Sequence, residues 1–201
     1  MAEDILCLMK KVLVINASPR KQGNVSQMLH VITEELTGAG AEVGVEYANH
    51  WQVRPCMGCM ACRSSHHCVL PPDDAQHVLT AICEADALVI GAPCYWGNIP
   101  GTLKLLFDRI VYGLMDETPR GIPIPLHKGK RCLLVSSCTT PWPLNILLHQ
   151  SRGALRALRE ICNYSGFRIV GTVEKGGTRR SAGLSRREER KCRKLARVLL
   201  A

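Results

Sequence analysis

Four cysteines lie close together in the segment PCMGCMACRSSHHCVL, residues 55–70. They are Cys56, Cys59, Cys62 and Cys68, with the spacing C-x2-C-x2-C-x5-C. Two consecutive C-x2-C steps bring three thiolates around one small volume, which suits a four-iron four-sulfur cluster, because each iron of such a cluster takes one thiolate. Structural zinc usually takes two cysteine pairs separated by a longer segment. Zinc, disulfides and free or redox-active thiols are the alternatives.

The composition favours metal or redox chemistry over disulfides. The chain has 11 cysteines in 201 residues, and residues 1–11 begin with acids and lack the long apolar run of an export signal. We therefore expect a cytoplasmic location with reduced thiols, and no membrane span, because no apolar run reaches roughly 18 residues. The net charge of +9 suits anionic partners such as phosphorylated cofactors. His66 and His67 are expected to be solvated rather than metal-bound.

The remaining cysteines lie in apolar or helical patterns, where a cysteine usually behaves as a small hydrophobic residue. They are Cys7, Cys83, Cys94, Cys132, Cys138, Cys162 and Cys192.

Apolar runs alternate with helical patterns along the chain, which predicts an α/β fold. Strands are predicted at residues 11–17, 41–48, 85–93, 130–138 and 167–174. Helices are predicted at residues 24–38, 73–84, 99–113 and 145–164 and from about Leu184, with a loop over 114–129. Right-handed crossovers then give a doubly wound, five-stranded parallel sheet of flavodoxin-like order 2-1-3-4-5. We expect one domain over residues 1–201, with a cysteine-rich insertion at about 49–74 and Asp74 as the N-cap of its following helix.

Ligands of such sheets bind beyond the carboxyl ends of the strands, here in the loops after Ala17, Pro93 and Cys138. The first of these loops, SPRKQGNVS, offers hydroxyls, an arginine and a helix start, which together favour a phosphate. It lacks the G-x-G-x-x-G and G-K-[ST] patterns of dinucleotide folds and P-loop proteins. The alternative is a polar turn in which Asn24 or Ser26 caps the helix.

The loop after the third predicted strand places Tyr95 and Trp96 beside Gly97 and Asn98, in a chain with only 4% aromatic residues. Exposed aromatic rings would provide a flat apolar wall, and neighbouring backbone groups would provide hydrogen bonds, as a planar ring system needs. A phosphate loop next to a ring platform indicates a flavin mononucleotide site. Alternatively, the two aromatics pack against the next helix or a partner subunit.

Four stretches of the chain resemble the NADPH-dependent FMN reductase family, and in particular its iron-sulfur flavoprotein branch. They are ASPRKQGNVSQML, the cysteine segment running into PDD, ADALVIGAPCYWGNIPGTLKLLFDR and NYSGFRIVGTV. The resemblance implies non-covalent FMN held by three loops. The residues implied are Ser18, Arg20, Asn24, Val25 and Ser26 at the phosphate, Pro93, Cys94, Tyr95, Trp96, Gly97 and Asn98 along the ring, and Cys138, Thr139 and Thr140 on its other side. Val25 replaces a threonine common in the family, so one hydroxyl to the phosphate is lost.

The resemblance also implies a function. NADPH or NADH would pass a hydride to the flavin, which reduces a quinone, a second flavin or another small acceptor, without a side chain acting as acid or base. Arg20, Asn98 and the backbone N–H groups of residues 94–98 would stabilise the reduced ring. A four-iron four-sulfur cluster on the four cysteines would make a ferredoxin-like partner plausible. A homodimer or homotetramer is implied as well.

Two alternatives stand beside this interpretation. Flavin-only members of the family carry similar cysteines, so the chain could be an NAD(P)H reductase with free thiols. A more distant alternative is a zinc-containing, basic nucleic-acid-binding module that uses RREERKCRK near the C-terminus. Two glutamates interrupt that run, which favours a solvated helix face and no nucleic-acid partner. Asp108 and Arg109 are predicted to form a structural pair.

Overall fold

The computed structural model describes residues 9–179 and 183–201, so the prediction for Cys7 lies outside the described residues. The strands are β1 Lys11–Asn16, β2 Glu42–Tyr47, β3 Ala87–Pro93, β4 Met115–Glu117, β5 Pro123–Pro125, β6 Arg131–Ser137 and β7 Arg168–Lys175. The helices are α1 Asn24–Gly38, α2 Cys62–Ser65, α3 Asp74–Glu84, α4 Gly101–Arg109, α5 Val111–Leu114, α6 Leu144–Leu147, α7 Gln150–Ser165 and α8 Arg186–Leu200, with a 3-10 turn at Ala48–His50.

Five strands form one parallel sheet in the order β2-β1-β3-β6-β7. β6 and β7 are the fourth and fifth strands of this sheet in chain order, so the predicted flavodoxin-like order 2-1-3-4-5 is confirmed. Successive residues of β1 point to opposite faces, as they must in a strand. Val12 and Val14 pack under α1 and α8, whereas Leu13 and Ile15 pack under α3, α4 and α7. The sheet is therefore covered on both faces.

The predicted loop over 114–129 is wrong in one respect, because it contains the antiparallel hairpin β4-β5. Prolines in β5 argue against a strand in the sequence. In the structure Thr118 donates to Ile122 (2.9 Å) and Leu126 donates to Leu114 (3.2 Å). The two prolines fall between these bonded positions, where an antiparallel pair needs no backbone N–H.

Two predicted helices are interrupted. The segment 99–113 divides into α4 and α5 around Ile110, and the segment 145–164 divides into α6 and α7 at His149, whose φ of 53° is left-handed. Apolar residues continue through the first break, so periodicity alone does not reveal it. The second break lies at the start of the polar run HQSRG, residues 149–153.

Asp73, and not Asp74, is the N-cap of α3. The Asp73 carboxylate accepts from the N–H of Ala75 (3.0 Å), and Gln76 accepts in return from the N–H of Asp73 (2.9 Å), which completes a capping box. Asp74 instead accepts from the N–H of Gln52 (2.6 Å) and so fixes the chain before the cysteines.

The cysteines outside the segment 55–70 are buried in most cases. Cys132, Cys138, Cys162 and Cys192 are buried, and Cys94 is half-buried, as expected for small hydrophobic residues. Cys83 is exposed, contrary to the prediction. It follows Ile82 on α3, whose buried stripe consists of Ala75, Val78 and Ile82, and so it points away from the core.

Within residues 9–179 and 183–201, none of the helices has the length and apolar character that crossing a bilayer requires.

Candidate functional site

Three loops leave the central sheet at one edge, where the carboxyl ends of β1, β3 and β6 lie side by side. The N–H of Ala17 donates to Gly91 on β3 (2.8 Å), and the N–H of Cys94 donates to Ser137 on β6 (2.8 Å). The strand order reverses beside β1, which is where ligands bind in open α/β sheets. The loops after the first, third and fourth predicted strands therefore begin next to one another.

The loop between β1 and α1 is closed by its own hydrogen bonds. The Asn16 side chain accepts from the N–H of Ser18 (2.9 Å) and donates to the Ser26 hydroxyl (3.1 Å). The Ser26 hydroxyl in turn donates to the carbonyl of Arg20 (2.8 Å). The three residues involved are buried, namely Asn16, Ser18 and Ser26. The loop conformation is thus determined by the chain itself.

Gly23 is the residue that precedes α1, and it supplies no side-chain cap. The prediction that Asn24 or Ser26 is the N-cap is therefore wrong, because Gly23 has that position and Ser26 binds across the loop instead. The polar turn of the same alternative agrees with the closed loop. Val25 is buried in the core, so only its backbone N–H can serve a ligand at the helix start. A helix start without a capping oxygen leaves room for an anionic acceptor.

The loop after β3 forms a tight turn with an aromatic tip. Tyr95 and Asn98 exchange two backbone hydrogen bonds of 2.9 Å each, and Trp96 and Gly97 between them have φ values of 52° and 71°. Positive φ at both central residues is typical of a type I′ turn. Trp96 is fully exposed, and Tyr95 is partly exposed. The turn therefore presents a flat indole ring at the carboxyl edge of the sheet.

Helix α7 supports this turn through a contact that was not among the predictions from the sequence. The Cys94 thiol donates to the carbonyl of Gln150, and burial raises the pKa of that thiol. A Cβ atom at Gly153 would overlap the carbonyl oxygen of Gly97, so the turn and the first part of α7 are in direct contact. A glycine within an amphipathic helical pattern is the one sequence signal that points to such a close approach.

The loop after β6 is tied to the chain that follows β7. The carbonyl of Cys138 accepts from the N–H and hydroxyl of Thr178 (3.2 and 3.1 Å), and the carbonyl of Thr140 accepts from Gly177 (2.8 Å). Burial raises the pKa of the Cys138 thiol, which is directed to the carbonyl of Thr140 (3.5 Å). Residues 138–140 are therefore held through their backbone carbonyls, whereas the loop after β1 is held by its side chains.

The loops after β1 and β3 start together but line different cavities. The loop after β1 contributes Ser18 and Ser26 to a cavity of about 520 Å³ beside β2. Trp96 and Asn98 line a groove of about 1120 Å³ between α4 and α7. That groove also reaches Cys56, so the aromatic turn and the cysteine segment share it.

The four cysteines line one cavity of about 140 Å³. Cys56 and Cys59 are exposed, whereas Cys62 and Cys68 are half-buried. Partial burial, together with the charges of the other three thiols, raises the pKa of the Cys62 thiol. The structure therefore brings together all four predicted metal ligands around one volume.

In the part of the chain that the structure describes, no group of three or more metal-ligating side chains is arranged to hold a single ion. A cluster would take one thiolate on each of its irons, whereas structural zinc takes four ligands on one ion.

One ion pair and one histidine–carboxylate contact connect the cysteine segment to the hairpin β4-β5. Arg63 contacts Glu117 (3.2 Å), and the ring of His66 lies 3.9 Å from the Asp116 carboxylate. His66 lines the cysteine cavity, whereas the His67 ring contacts the carbonyl of Ser65 (2.8 Å).

Arg109 closes the base of the cysteine segment, and it does not pair with Asp108 as predicted. Its guanidinium donates to the carbonyl of Arg54 (2.8 Å) and to the Asp73 carboxylate (2.9 Å). Asp108 instead contacts Lys104 (2.5 Å). Consecutive residues of a helix point in different directions, which explains why the predicted pair does not form.

Comparisons with known proteins agree with this architecture. A family model described as a flavodoxin-like fold matches residues 10–198. An iron-sulfur flavoprotein of Archaeoglobus fulgidus is 40% identical over 99 residues, which are 49% of this chain and 48% of that protein. An iron-sulfur flavoprotein of Methanosarcina thermophila is 36% identical over 101 residues, which are 50% of this chain and 52% of that protein. The matched region thus spans about half the length of these curated relatives.

A solved structure with the same fold is an FMN-dependent NADH-azoreductase of Bacillus anthracis in complex with FMN. Its TM-score is 0.75 at 18% identity, and the alignment covers 96% of this chain and all (100%) of that one. At this identity the likeness concerns the fold alone.

Proposed function

The chain belongs to the family with the flavodoxin-like fold, and we propose that it is an FMN-dependent oxidoreductase. In this proposal it takes electrons from NADPH, NADH or a ferredoxin-like protein and passes them to a quinone, a flavin or another small acceptor. A four-iron four-sulfur cluster on Cys56, Cys59, Cys62 and Cys68 is the second redox centre. The resemblance to iron-sulfur flavoproteins supports both centres.

The observation that carries the proposal is the meeting of two different loops at one edge of the sheet. A self-closed loop leads into the uncapped start of α1, and the neighbouring loop presents the exposed ring of Trp96. A phosphate needs the first of these features, and a planar ring needs the second. The residues proposed to hold FMN are Ser18, Arg20, Asn24, Val25 and Ser26, Pro93, Cys94, Tyr95, Trp96, Gly97 and Asn98, and Cys138, Thr139 and Thr140.

When bound, the flavin supplies hydride acceptance and release. The contribution of this chain is binding and electrostatics. Trp96 would cover one side of the site, and Arg20 would stabilise negative charge there. The N–H groups of Cys94, Tyr95 and Asn98 are already bonded to carbonyls of the protein, so the expectation that the N–H groups of residues 94–98 all serve the ring is wrong for these three. No side chain of the three loops is assigned a proton transfer.

The four-cysteine cavity fits a cluster because four thiols of suitable spacing line one volume. It adjoins the groove that Trp96 lines, and Cys56 belongs to both. This continuity supports electron exchange between the two centres, and it favours an enzyme over a protein in which the thiols only stabilise the fold. We regard residues 49–74 as an insertion of one flavodoxin-like domain that carries this second centre.

A flavin-only reductase with free thiols is the second candidate. It is favoured by the exposure of Cys56 and Cys59, which leaves them open to solvent. A zinc-containing nucleic-acid-binding module fits less well. Arg193 and Arg197 on α8 face Glu35 at 3.3 and 2.6 Å, so part of the basic run is used in ion pairs with α1.

We also propose that a second copy of the chain covers the site in a homodimer or homotetramer. Apolar side chains are exposed on the turn after β3 and in the segment between β6 and α7, namely Trp96, Trp142, Leu144, Leu147 and Leu148. An apolar patch of this kind beside a cofactor site suits an isologous contact.

One preparation tests the proposal. The protein is purified anaerobically, its visible spectrum is recorded, and FMN, iron and acid-labile sulfide are measured per chain. We expect one FMN, four irons and flavin-dependent oxidation of NADPH or NADH with a quinone present. FMN without iron would favour the flavin-only reductase. A colourless protein that binds neither would refute the proposal.

A further inference from the structure

Arg109 is a charged residue in an unusual position. It is the last residue of α4, only 2% of its surface is exposed, and it lines the cavity that the four cysteines share. A buried guanidinium is expensive unless its charge and all its donors are used. The structure accounts for only part of that requirement.

One nitrogen of the guanidinium joins the two ends of the cysteine segment. Nη1 donates to the carbonyl of Arg54, which precedes Cys56, and to Oδ2 of Asp73, which follows Cys68. The same Asp73 oxygen accepts from the N–H of Arg54 (3.0 Å). Although burial raises the pKa of Asp73, hydrogen bonds from Arg54 and Ala75 and the charge of Arg109 lower it overall. The three residues form a closed ring at the base of the segment.

The other two nitrogens are unsatisfied. Nε and Nη2 of Arg109 are buried and have no hydrogen-bond partner among the described residues. Asp73, the counter-ion, does not line the cysteine cavity, whereas Arg109 does. The charge of Arg109 therefore lies beside the cavity that the four thiols line, and its counter-ion is not part of that lining. Four thiolates around a cluster carry net negative charge, and charge and hydrogen bonds near the sulfurs set the reduction potential of a cluster.

We propose that Arg109 is a positioning residue for the four-cysteine site. Arg109 holds the segment 55–72 closed at its base, and its positive charge stabilises the reduced, more negative state of a bound cluster. This inference rests on the proposed function. The reduction adds one electron to the cluster, supplied by dithionite in the titration below, and no bond forms or breaks.

The test compares Arg109→Gln and Arg109→Lys with the wild-type holoprotein. Lys104→Gln is the matched control, because Lys104 is on the same helix but is exposed and paired with Asp108. The cluster midpoint potential is measured by redox titration followed by electron paramagnetic resonance. We expect Arg109→Gln to disfavour the reduced cluster about tenfold, which is about 59 mV for one electron. Arg109→Lys should give a smaller shift, and Lys104→Gln should give none.

Hydrogen exchange of residues 55–72 in the metal-free protein is the second measurement. It should accelerate in both Arg109 variants, because each loses the guanidinium that bonds to the carbonyl of Arg54 and to the Asp73 carboxylate, and it should not change in the control. A folded Arg109→Gln protein that loads no iron, while Arg109→Lys does, also supports the proposal. Wild-type potential and wild-type exchange in Arg109→Gln would overturn it. If Arg109→Gln does not fold, the same two results in Arg109→Lys would overturn it.

The proposed cluster and the proposed role of Arg109 at the base of the segment can be refuted independently. A wild-type protein that takes up no iron refutes the proposed cluster and the effect on its potential. The exchange measurement still tests whether Arg109 holds the segment.

Discussion

The loop between β1 and α1 and the cysteine segment are held in different ways. In the loop, buried side chains of Asn16, Ser18 and Ser26 bind one another and the backbone, so its conformation exists before any ligand arrives. In the cysteine segment, the thiols are exposed or half-buried, and the fixed points are Arg109 at the base and the hairpin β4-β5 at the side. The loop would bind a ligand through a preformed backbone conformation. In the segment, the ligand would bind side chains that are brought into position only when it binds.

This difference predicts which substitutions affect which ligand. In the segment, the side chains are the ligands, so their loss should abolish binding. In the loop, the backbone conformation matters most, so substitutions that disturb its packing should weaken binding by degrees.

The largest effect is expected from Cys62→Ser. A hydroxyl is a poor ligand for iron, so the cluster should be lost almost completely while the flavin bands persist. Iron, acid-labile sulfide and FMN are measured per chain after anaerobic purification. Cys83→Ser is the control, since Cys83 is also a cysteine with an exposed position but lies on α3, outside the segment. Normal iron content in Cys62→Ser would show that the four thiols do not act together.

The second prediction concerns the turn that carries Trp96, whose conformation we expect to be fixed by its contact with α7 before any ligand binds. Gly153→Ala places a methyl group against the Gly97 carbonyl, so the turn or α7 must move. We expect a loss of about 1–3 kcal/mol of unfolding free energy in urea and weaker FMN binding, with iron content unchanged. At Gly101, on α4, nothing lies within 4 Å of an added methyl group. Gly101→Ala should therefore be neutral or up to about 1 kcal/mol stabilising. Equal stability of the two variants would contradict the contact.

The parts of this molecule that follow from local pattern could be predicted from the sequence. Continuous apolar runs specify β1 and β3, and a glycine ends α1, so the predicted sheet order is correct and the three loops leave the same end of the sheet. The hairpin β4-β5 could not be predicted, because its prolines are tolerated only through the register of the pairing. The Arg109–Asp73 contact joins residues 36 positions apart and depends on how α4 packs beside the segment. Long-range packing of this kind leaves no local signal.

A smaller effect is expected when one methyl group is added in each region. At Gly23 an added Cβ would lie 3.0 Å from the Cβ of Arg20 and 3.2 Å from the Ser18 hydroxyl. Gly23→Ala should therefore shift the closed loop and weaken FMN binding about tenfold, which corresponds to about 1.4 kcal/mol. Fluorescence titration of the flavin-free protein measures this.

At Gly58 there is open space, but the φ of 65° is left-handed. Gly58→Ala should cost about 1–2 kcal/mol in backbone conformation and should lower iron loading while leaving FMN affinity unchanged. If Gly58→Ala weakened FMN binding as much as Gly23→Ala, the two regions would not be independent.

The smallest effect concerns the hairpin against which the cysteine segment rests. His127 follows β5, is buried, stacks on Phe167 at 4.9 Å and lies 2.9 Å from the carbonyl of Gly113 through Nε2. Burial lowers the pKa of His127, with a further lowering from the charge of Lys130. The folded protein therefore binds fewer protons than the unfolded chain at mildly acidic pH. Stability is fully present above the unfolded pKa of about 6.5 and is lost as pH falls towards the folded pKa.

One proton limits the slope of this loss to about 1.4 kcal/mol per pH unit. Urea unfolding between pH 8 and pH 5 measures it, and His127→Gln, which cannot titrate but can still donate to Gly113, should remove this contribution. The depressed pKa of Asp73 acts in a lower window, below its ordinary value of 3.8, so the two groups are separable. Because Arg63 contacts Glu117 on β4, the loss of stability that originates at His127 should also speed hydrogen exchange in the cysteine segment before it does so in the loop after β1. If hydrogen exchange accelerated in both regions at the same pH, the loop after β1 would also depend on the hairpin. The contrast between a preformed loop and a segment whose side chains are positioned by the ligand would then be wrong.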